Sequence, residues 1–426
     1  MNIHIKNIMS VVPMTEKDYV LEDVNIYIKD KNIFHIGDEL KDFNFDKVID
    51  GSGMVAFPGL INTHTHLAMT LFRNYADDMK LEDWLFKKIF PLEDKLMGED
   101  VYYGSKLGLI EMIKSGTTCF LDMYFFVEDT LKAINESKIR ACISRGLTSG
   151  EGEDAKIQEV RDLYGKYNDY EGRIKIMVGP HAVYTCSEDF LKKCLNLTKE
   201  LNTRLHIHLN ESKNEVEESL KAHGKSPIEW VDYLGLLEVP TIAAHCVWLN
   251  ENDMNILKNK NVNVAHNPVS NLKIASGIAN IYKMQKEGIN VCLGTDGAAS
   301  NNNLNMFKDL NIASLLSKGL NLEPVATTAY ETLEMATING AKALGLEDLI
   351  GTLEVGKEAD IILIDFNKPH LKPKNNVISS LVYSAFGSDV DTVIVKGNVL
   401  MENRKIKVFD EVDTVKEIDE YLKKRR

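Results

Sequence analysis

Between residues 57 and 297 the chain alternates short β-branched or apolar runs with longer amphipathic stretches, and this alternation restricts the fold more than any other feature. The strand candidates are Gly59–His66, Thr117–Met123, Ile139–Gly146, Arg173–His181, Arg204–Glu211, Thr241–Val247, Val262–Pro268 and Asn290–Gly297. Helical patterns separate them, among them Val101–Ser115, Phe190–Leu201, Glu215–Ala222 and Glu251–Lys258. Such alternation implies a parallel sheet, because parallel neighbours need a crossover and a helix supplies it. Eight units, followed by further helices to about residue 345, predict an α/β chain built as a (β/α)8 TIM barrel. A doubly wound open sheet is the competing architecture; it does not call for eight strands, and no GxGxxG follows the first run.

Both ends of the chain read differently. Residues 1–56 hold short strand patterns at Asn2–Ile5, Val24–Ile28, Asn32–Ile36 and Lys47–Ile49, separated by turn-like Asp30-Lys31 and Gly51-Ser52-Gly53. Strand texture returns at Ala359–Phe366, Asp391–Lys396 and Val399–Met401. The expected organisation is a barrel over 57–356 and one small β-sandwich assembled from 1–56 and 357–426. Val415–Arg426 reads as a charged, partly frayed helix closing the chain.

The formal net charge of −13 argues against nucleic acid or an anionic membrane as the main partner, since both need clustered positive charge. Six cysteines, at 119, 142, 186, 194, 246 and 292, form no CxxC pair and fit a reducing compartment. The N-terminus shows no basic segment followed by an apolar one, and no apolar run is long enough to span a bilayer. The expectation is a cytoplasmic protein acting on a small molecule, with a homo-oligomer left open.

In a barrel of this kind the chemistry sits at the C-terminal ends of the strands. Seven of the eleven histidines (64, 66, 181, 206, 208, 245 and 266) lie on or at the ends of the eight strand candidates. His64 and His66, one residue apart on a strand, point to the same face and can reach one metal ion. Alone, the pair fits equally well two solvated histidines on a surface strand. The recurrence of ligand-type residues at later strand ends favours the metal: His181 on the fourth, His208 and Glu211 on the fifth, His245 on the sixth, His266 on the seventh, Asp296 on the eighth. His64, His66, His208 and Asp296 make a nitrogen-rich set with one carboxylate, which suits Zn²⁺ and also admits iron, nickel or manganese. A metal there lowers the pKa of a bound water toward neutrality. His206 shares the face of His208 but lies deeper, as a packing or supporting residue. Glu211 follows His208 by three residues, past the strand end, where a carboxylic acid can pass a proton to a substrate nitrogen.

Several segments together resemble the amidohydrolase superfamily. They are Phe57-Pro58-Gly59-Leu60-Ile61-Asn62-Thr63-His64-Thr65-His66, His206-Ile207-His208-Leu209-Asn210-Glu211, Ala244-His245-Cys246, His266-Asn267-Pro268-Val269-Ser270-Asn271, Gly294-Thr295-Asp296-Gly297 and Gly351-Thr352-Leu353-Glu354-Val355-Gly356-Lys357-Glu358-Ala359-Asp360. The resemblance covers the whole chain. Leu81-Glu82-Asp83-Trp84-Leu85, Pro91-Leu92-Glu93-Asp94 and Val178-Gly179-Pro180-His181-Ala182 are most similar to the branch of 5′-methylthioadenosine/S-adenosylhomocysteine deaminases.

That resemblance implies hydrolytic deamination at C6 of an adenine nucleoside, with one Zn²⁺ on His64, His66, His208 and Asp296. It implies that Glu211 exchanges protons with purine N1 and that His245 and Asp296 orient and deprotonate the attacking water. Glu93 would hold the ribose hydroxyls, His181 would contact purine or sugar, and Arg145 would meet the amino-acid end of S-adenosylhomocysteine. Glu93 and Arg145 also fit plain surface salt bridges. Members similar to hydantoinases carry a lysine at the end of the fourth strand that bridges two metals; here that strand ends Gly179-Pro180-His181, so one metal is expected. The HxE and PCxxC pattern of cytidine deaminases is absent. The rivals are a sibling activity at the same site, on 5′-deoxyadenosine, adenosine, guanine or a triazine, and a non-catalytic barrel serving as an assembly subunit.

Overall fold

The computed structural model describes residues 1–425; Arg426, the last residue of the expected terminal helix, lies outside the described residues. The N-terminal strands are β1 (Ile3–Val11), β2 (Leu21–Lys29), β3 (Asn32–Gly37), β4 (Lys47–Asp50) and β5 (Met54–Pro58). The barrel strands are β6 (Leu60–Thr65), β7 (Thr117–Tyr124), β8 (Arg140–Leu147), β9 (Ile174–Pro180), β10 (Leu205–Leu209), β11 (Thr241–His245), β12 (Asn263–His266) and β13 (Val291–Leu293). The chain ends with β14 (Ile361–Asp365), β15 (Val390–Val395), β16 (Asn398–Glu402) and β17 (Lys405–Ile406).

The eight strands β6 to β13 pair in chain order as a parallel sheet. Both faces are buried, as a parallel sheet wrapped in helices requires. Inward side chains such as Ile61, Leu121, Cys142, Met177, Ala265 and Cys292 share one cluster, while Leu60, Phe120, Ile143, Val178, Ile207 and Val264 pack outward under the helices. Cys119, Cys142 and Cys292 serve here as small apolar fillers, and all six cysteines are buried free thiols.

The first and last strands of the barrel meet through side chains as well as backbone. Asn62 accepts from the Thr295 amide (3.0 Å) and donates to the Thr295 hydroxyl (2.8 Å), Thr63 donates to the Leu293 carbonyl (2.8 Å), and the Asp296 amide donates to the His64 carbonyl (3.0 Å). Gly294 is required at this seam: a Cβ there would stand 2.8 Å from the backbone nitrogen and oxygen of His64.

The other nine strands form one separate hydrogen-bonded sheet from the two chain ends, in the order β17-β16-β15-β14-β5-β1-β2-β3, with β4 on β1. β1 uses one edge twice, pairing β4 through Ile3–Lys6 and β5 through Ser10 and Val11, with a bulge at Asn7 between them. Ile5, Ile26, Ile28, Ile361, Leu363 and Ile394 share the apolar cluster between its two halves. The sheet passes directly into the barrel at Gly59, where a Cβ would lie 2.0 Å from the Thr118 hydroxyl. Arg140, fully buried at the start of β8, ties barrel to sheet by donating to both Asp360 oxygens (2.9 and 3.0 Å) and to Glu358 (2.7 Å).

Two expectations change. The terminal helix starts earlier, at Glu411, and it is docked rather than frayed: Lys114 pairs with Glu411 (2.7 Å), and Asp100 takes Tyr421 (2.8 Å) and Arg425 (2.8 Å). Several barrel strands also stop short of their apolar runs. Asn210, His245, Cys246 and Asp296 adopt left-handed φ values of 52°, 75°, 47° and 61°, which break extended backbone at the mouth, and Pro268 opens a helix (Pro268–Lys273) instead of closing a strand.

Candidate active site

At the C-terminal mouth, His64, His66, His208, His245 and Asp296 converge. Ligand atoms of His64, His208 and His245 all lie within 4.8 Å of one another, as do those of His64, His66 and Asp296. Backbone acceptors dictate the proton positions. His66 Nδ1 donates to the Met123 carbonyl and His208 Nδ1 to the His181 carbonyl, each at 2.7 Å. A carbonyl can only accept, so each neutral ring keeps its lone pair on Nε2.

A longer chain sets His64. The Ser144 hydroxyl donates to the Asp122 carbonyl (2.9 Å) and accepts from His206 Nδ1 (2.8 Å), so His206 Nε2 accepts from His64 Nδ1 (2.8 Å). Three Nε2 lone pairs therefore face one point. His66 and His208 Nε2 stand 3.4 Å apart, Asp296 Oδ1 lies 3.5 Å from His64 Nε2 and 3.3 Å from His66 Nε2, and His64 Nε2 is buried without a hydrogen-bond partner. Lone pairs and a carboxylate aimed at one another repel unless a cation lies between them, so the donor set fits a divalent metal ion. Burial keeps two of these imidazoles neutral: it lowers His64 to about 4 and takes His208 well below its ordinary range.

Asp296 is held on every side. Ser270 (2.6 Å) and Ser300 (2.8 Å) donate to Oδ2, and the Gly297 amide donates to Oδ1 (2.7 Å). Burial opposes its ionisation, yet its place beside His64 and His66 holds it well below the usual carboxylate range. Glu211 behaves in the opposite way. Burial, reinforced by the Asp296 charge, pushes its carboxyl up to about 8, so it carries a proton at neutral pH. Its Oε1 lies 3.8 Å from His245 Nδ1, whose ring is fixed at 2.8 Å by Asn271 Oδ1. Two carboxyl groups at one site thus sit in opposite protonation states, the pattern of an acid beside a base.

These groups floor a cavity of about 810 Å³. Leu81, Trp84, Leu85, Ile89 and Phe90 form one wall, on a helical segment with a π turn at Leu85–Ile89 just before Pro91. Glu93, His181 and Arg145 all line the cavity. Tyr124 donates to Glu93 Oε1 (2.8 Å), and burial raises the Glu93 pKa. His181 Nδ1 meets the Thr185 hydroxyl (2.9 Å), and burial lowers the ring to about 3. Arg145 is already engaged: Nε donates to Glu159 Oε2 (3.0 Å), and Nη1 donates to the Gly146 carbonyl.

The family model of the amidohydrolase family matches residues 55–400. The chain belongs to the amidohydrolase family. It is 55% identical over 416 residues to the 5-methylthioadenosine/S-adenosylhomocysteine deaminase of Caldanaerobacter subterraneus subsp. tengcongensis, across 96% of this chain and 95% of that one. It is 49% identical over 401 residues to the 5′-deoxyadenosine deaminase of Methanosarcina acetivorans, across 93% and 92% of the two chains. A crystal structure of an adenosine deaminase from Xanthomonas campestris with bound zinc superposes with a TM-score of 0.94 at 31% identity, covering 99% of this chain and 98% of that one.

Sequence reasoning left unassigned several residues that hold the amidohydrolase site together. Asn62, Ser270 and Asn271 stand inside the very segments that carry the family resemblance, so their polar character within apolar runs was an available signal. Ser144, Tyr124 and Ser300 carried none: a serine on a strand or in a loop looks the same whether it faces solvent or a histidine. Among the described residues no helix is long and apolar enough to cross a membrane.

Proposed function

We propose that this amidohydrolase hydrolyses the 6-amino group of adenine nucleosides, converting S-adenosylhomocysteine to S-inosylhomocysteine and 5′-methylthioadenosine to 5′-methylthioinosine with release of ammonia. The observation that carries this reading is the convergence of His64, His66, His208 and Asp296 beside Glu211 and His245, on the floor of a cavity of about 810 Å³. That volume suits a substituted nucleoside, and a relative named for these substrates is 55% identical. We assign one Zn²⁺ per chain, held by His64, His66, His208 and Asp296. When bound, such an ion supplies Lewis acidity that brings the pKa of a coordinated water toward neutrality.

The protein's own groups account for the proton traffic. Asp296 accepts a proton from the attacking water, which His245 orients with its ring braced by Asn271. As the water oxygen adds to C6, the displaced electron pair moves onto N1 and takes the proton of Glu211. The C6–N6 bond then breaks, the nitrogen leaves as ammonia with the proton that Asp296 had received, and the C6 hydroxyl returns a proton to Glu211 as the 6-oxo group forms. Tyr124 occupies one oxygen of Glu93 and leaves Oε2 for the ribose hydroxyls. His181 contacts the purine or sugar, and Arg145 meets the substrate carboxylate.

A second reading, preference for 5′-deoxyadenosine, is favoured by Arg145 being already paired with Glu159 and by the relative of that name at 49% identity. Ammonia release from S-adenosylhomocysteine, methylthioadenosine, 5′-deoxyadenosine and adenosine, with and without chelator, separates the two. The expected result is chelator-sensitive turnover with the first two substrates best. Faster turnover of 5′-deoxyadenosine than of both would support the second reading, and no ammonia from any would refute both.

A further inference from the structure

We infer that Glu159 is a specificity-determining residue that receives the α-ammonium group of the substrate's amino-acid end, so that Arg145 and Glu159 together read a zwitterion. The inference deepens the proposed reaction and rests on it for the identity of the substrate. An amino acid carries its ammonium and carboxylate on one carbon, so the groups that recognise them must stand side by side. Arg145 Nε and Glu159 Oε2 are 3.0 Å apart, both residues line the cavity, and each keeps a free partner atom. Arg145 Nη2 and Glu159 Oε1 make no hydrogen bond among the described residues.

The charge balance of the wall points the same way. Among the described residues Arg145 is the only lysine or arginine lining the cavity, against Glu93, Asp94, Glu159, Glu211 and Asp296. A ligand bearing a carboxylate alone would gain Arg145 but meet Glu159, which already neutralises it. A zwitterion instead completes an alternating ring: guanidinium to ligand carboxylate, ligand ammonium to Glu159. The Glu159 side chain is 40% exposed and Arg145 15%, so solvent screens this pair without abolishing it.

The test is calorimetric binding to the metal-loaded protein of two inert ligands, S-inosylhomocysteine and its analogue lacking the α-amino group, in the parent and in Glu159→Gln. The parent should bind the first about tenfold more tightly, the low end for a charge-assisted hydrogen bond. Glu159→Gln should weaken the first by about tenfold and strengthen the second, because Arg145 is released. Equal weakening of both ligands would mean that Glu159 only holds Arg145, and that outcome, or no change in either, overturns the inference. Should the variant fail to fold, equal binding of the two ligands by the parent also overturns it. Turnover plays no part in the measurement. A parent that shows this preference yet releases no ammonia from any adenine nucleoside would refute the proposed reaction while leaving the role of Glu159 standing.

Discussion

The floor and the rim of the cavity are built by different means. On the floor, every ligand-type ring has its outer nitrogen committed: His66 and His208 to backbone carbonyls, His64 to His206 and through it to Ser144, His245 to Asn271. Most of these partners sit on barrel strands or just beyond their ends, and Asn271 sits in the short helix Pro268–Lys273. At the rim, Glu93 has one side-chain partner, Tyr124, and Arg145 leans on the partly exposed Glu159. The lesson is a division of labour: the groups proposed to handle protons and bind metal are over-determined, and those proposed to meet the ribose and the amino-acid end are held loosely enough to exchange partners with a ligand.

Substitution of Glu211 tests the floor most severely. Glu211→Gln keeps shape and hydrogen bonding but has no proton to give, so kcat should fall by about 10²–10⁴-fold with metal content retained. Asp296→Asn should lose metal and rate together, because the ligand charge is gone. Metal content measured against kcat in the two variants decides. A metal-free Glu211→Gln protein, or one within about tenfold of the parent, would remove Glu211 from its role.

A smaller effect is expected at His206, which touches no ligand-binding atom. His206→Ala strands the buried Nδ1–H of His64 and frees that ring to change tautomer. Metal affinity, read by chelator competition, should fall by about 10–100-fold, with Ser144→Ala falling less. Unchanged affinity in His206→Ala would break the claim that the floor is over-determined.

The smallest effect belongs to the rim. Tyr124→Phe removes a single hydrogen bond to Glu93 and should raise KM by less than about tenfold with kcat nearly kept. A loss of kcat as large as that of Glu211→Gln would erase the distinction between rim and floor.

What could be read from the chain alone follows from periodicity and local chemistry. The eight apolar runs announce a parallel barrel because both faces of such a sheet must be buried, and β-branched and apolar residues record that directly. The convergence of His64, His66, His208 and Asp296 was legible because few residue types suit such a cluster and strand geometry fixes their spacing. Glu211 was legible as a residue past the end of a strand, where it indeed lies.

Only the tertiary structure decided the rest, because it depends on groups far apart in the chain. The proton on His64 is set through His206 by Ser144, two strands away, and by the Asp122 carbonyl on the neighbouring strand. Asp296 is ionised and Glu211 protonated although both are buried carboxyls, because the first is ringed by histidines and hydroxyls and the second faces the charge of the first. The pairing of Arg145 with Glu159 joins a strand end to the following helix, and the bracing of Arg140 by Asp360 spans 220 residues. Electrostatic environment and hydrogen-bond partnership are properties of positions in space, and a linear pattern of residue types carries them only where the partners are neighbours in the chain.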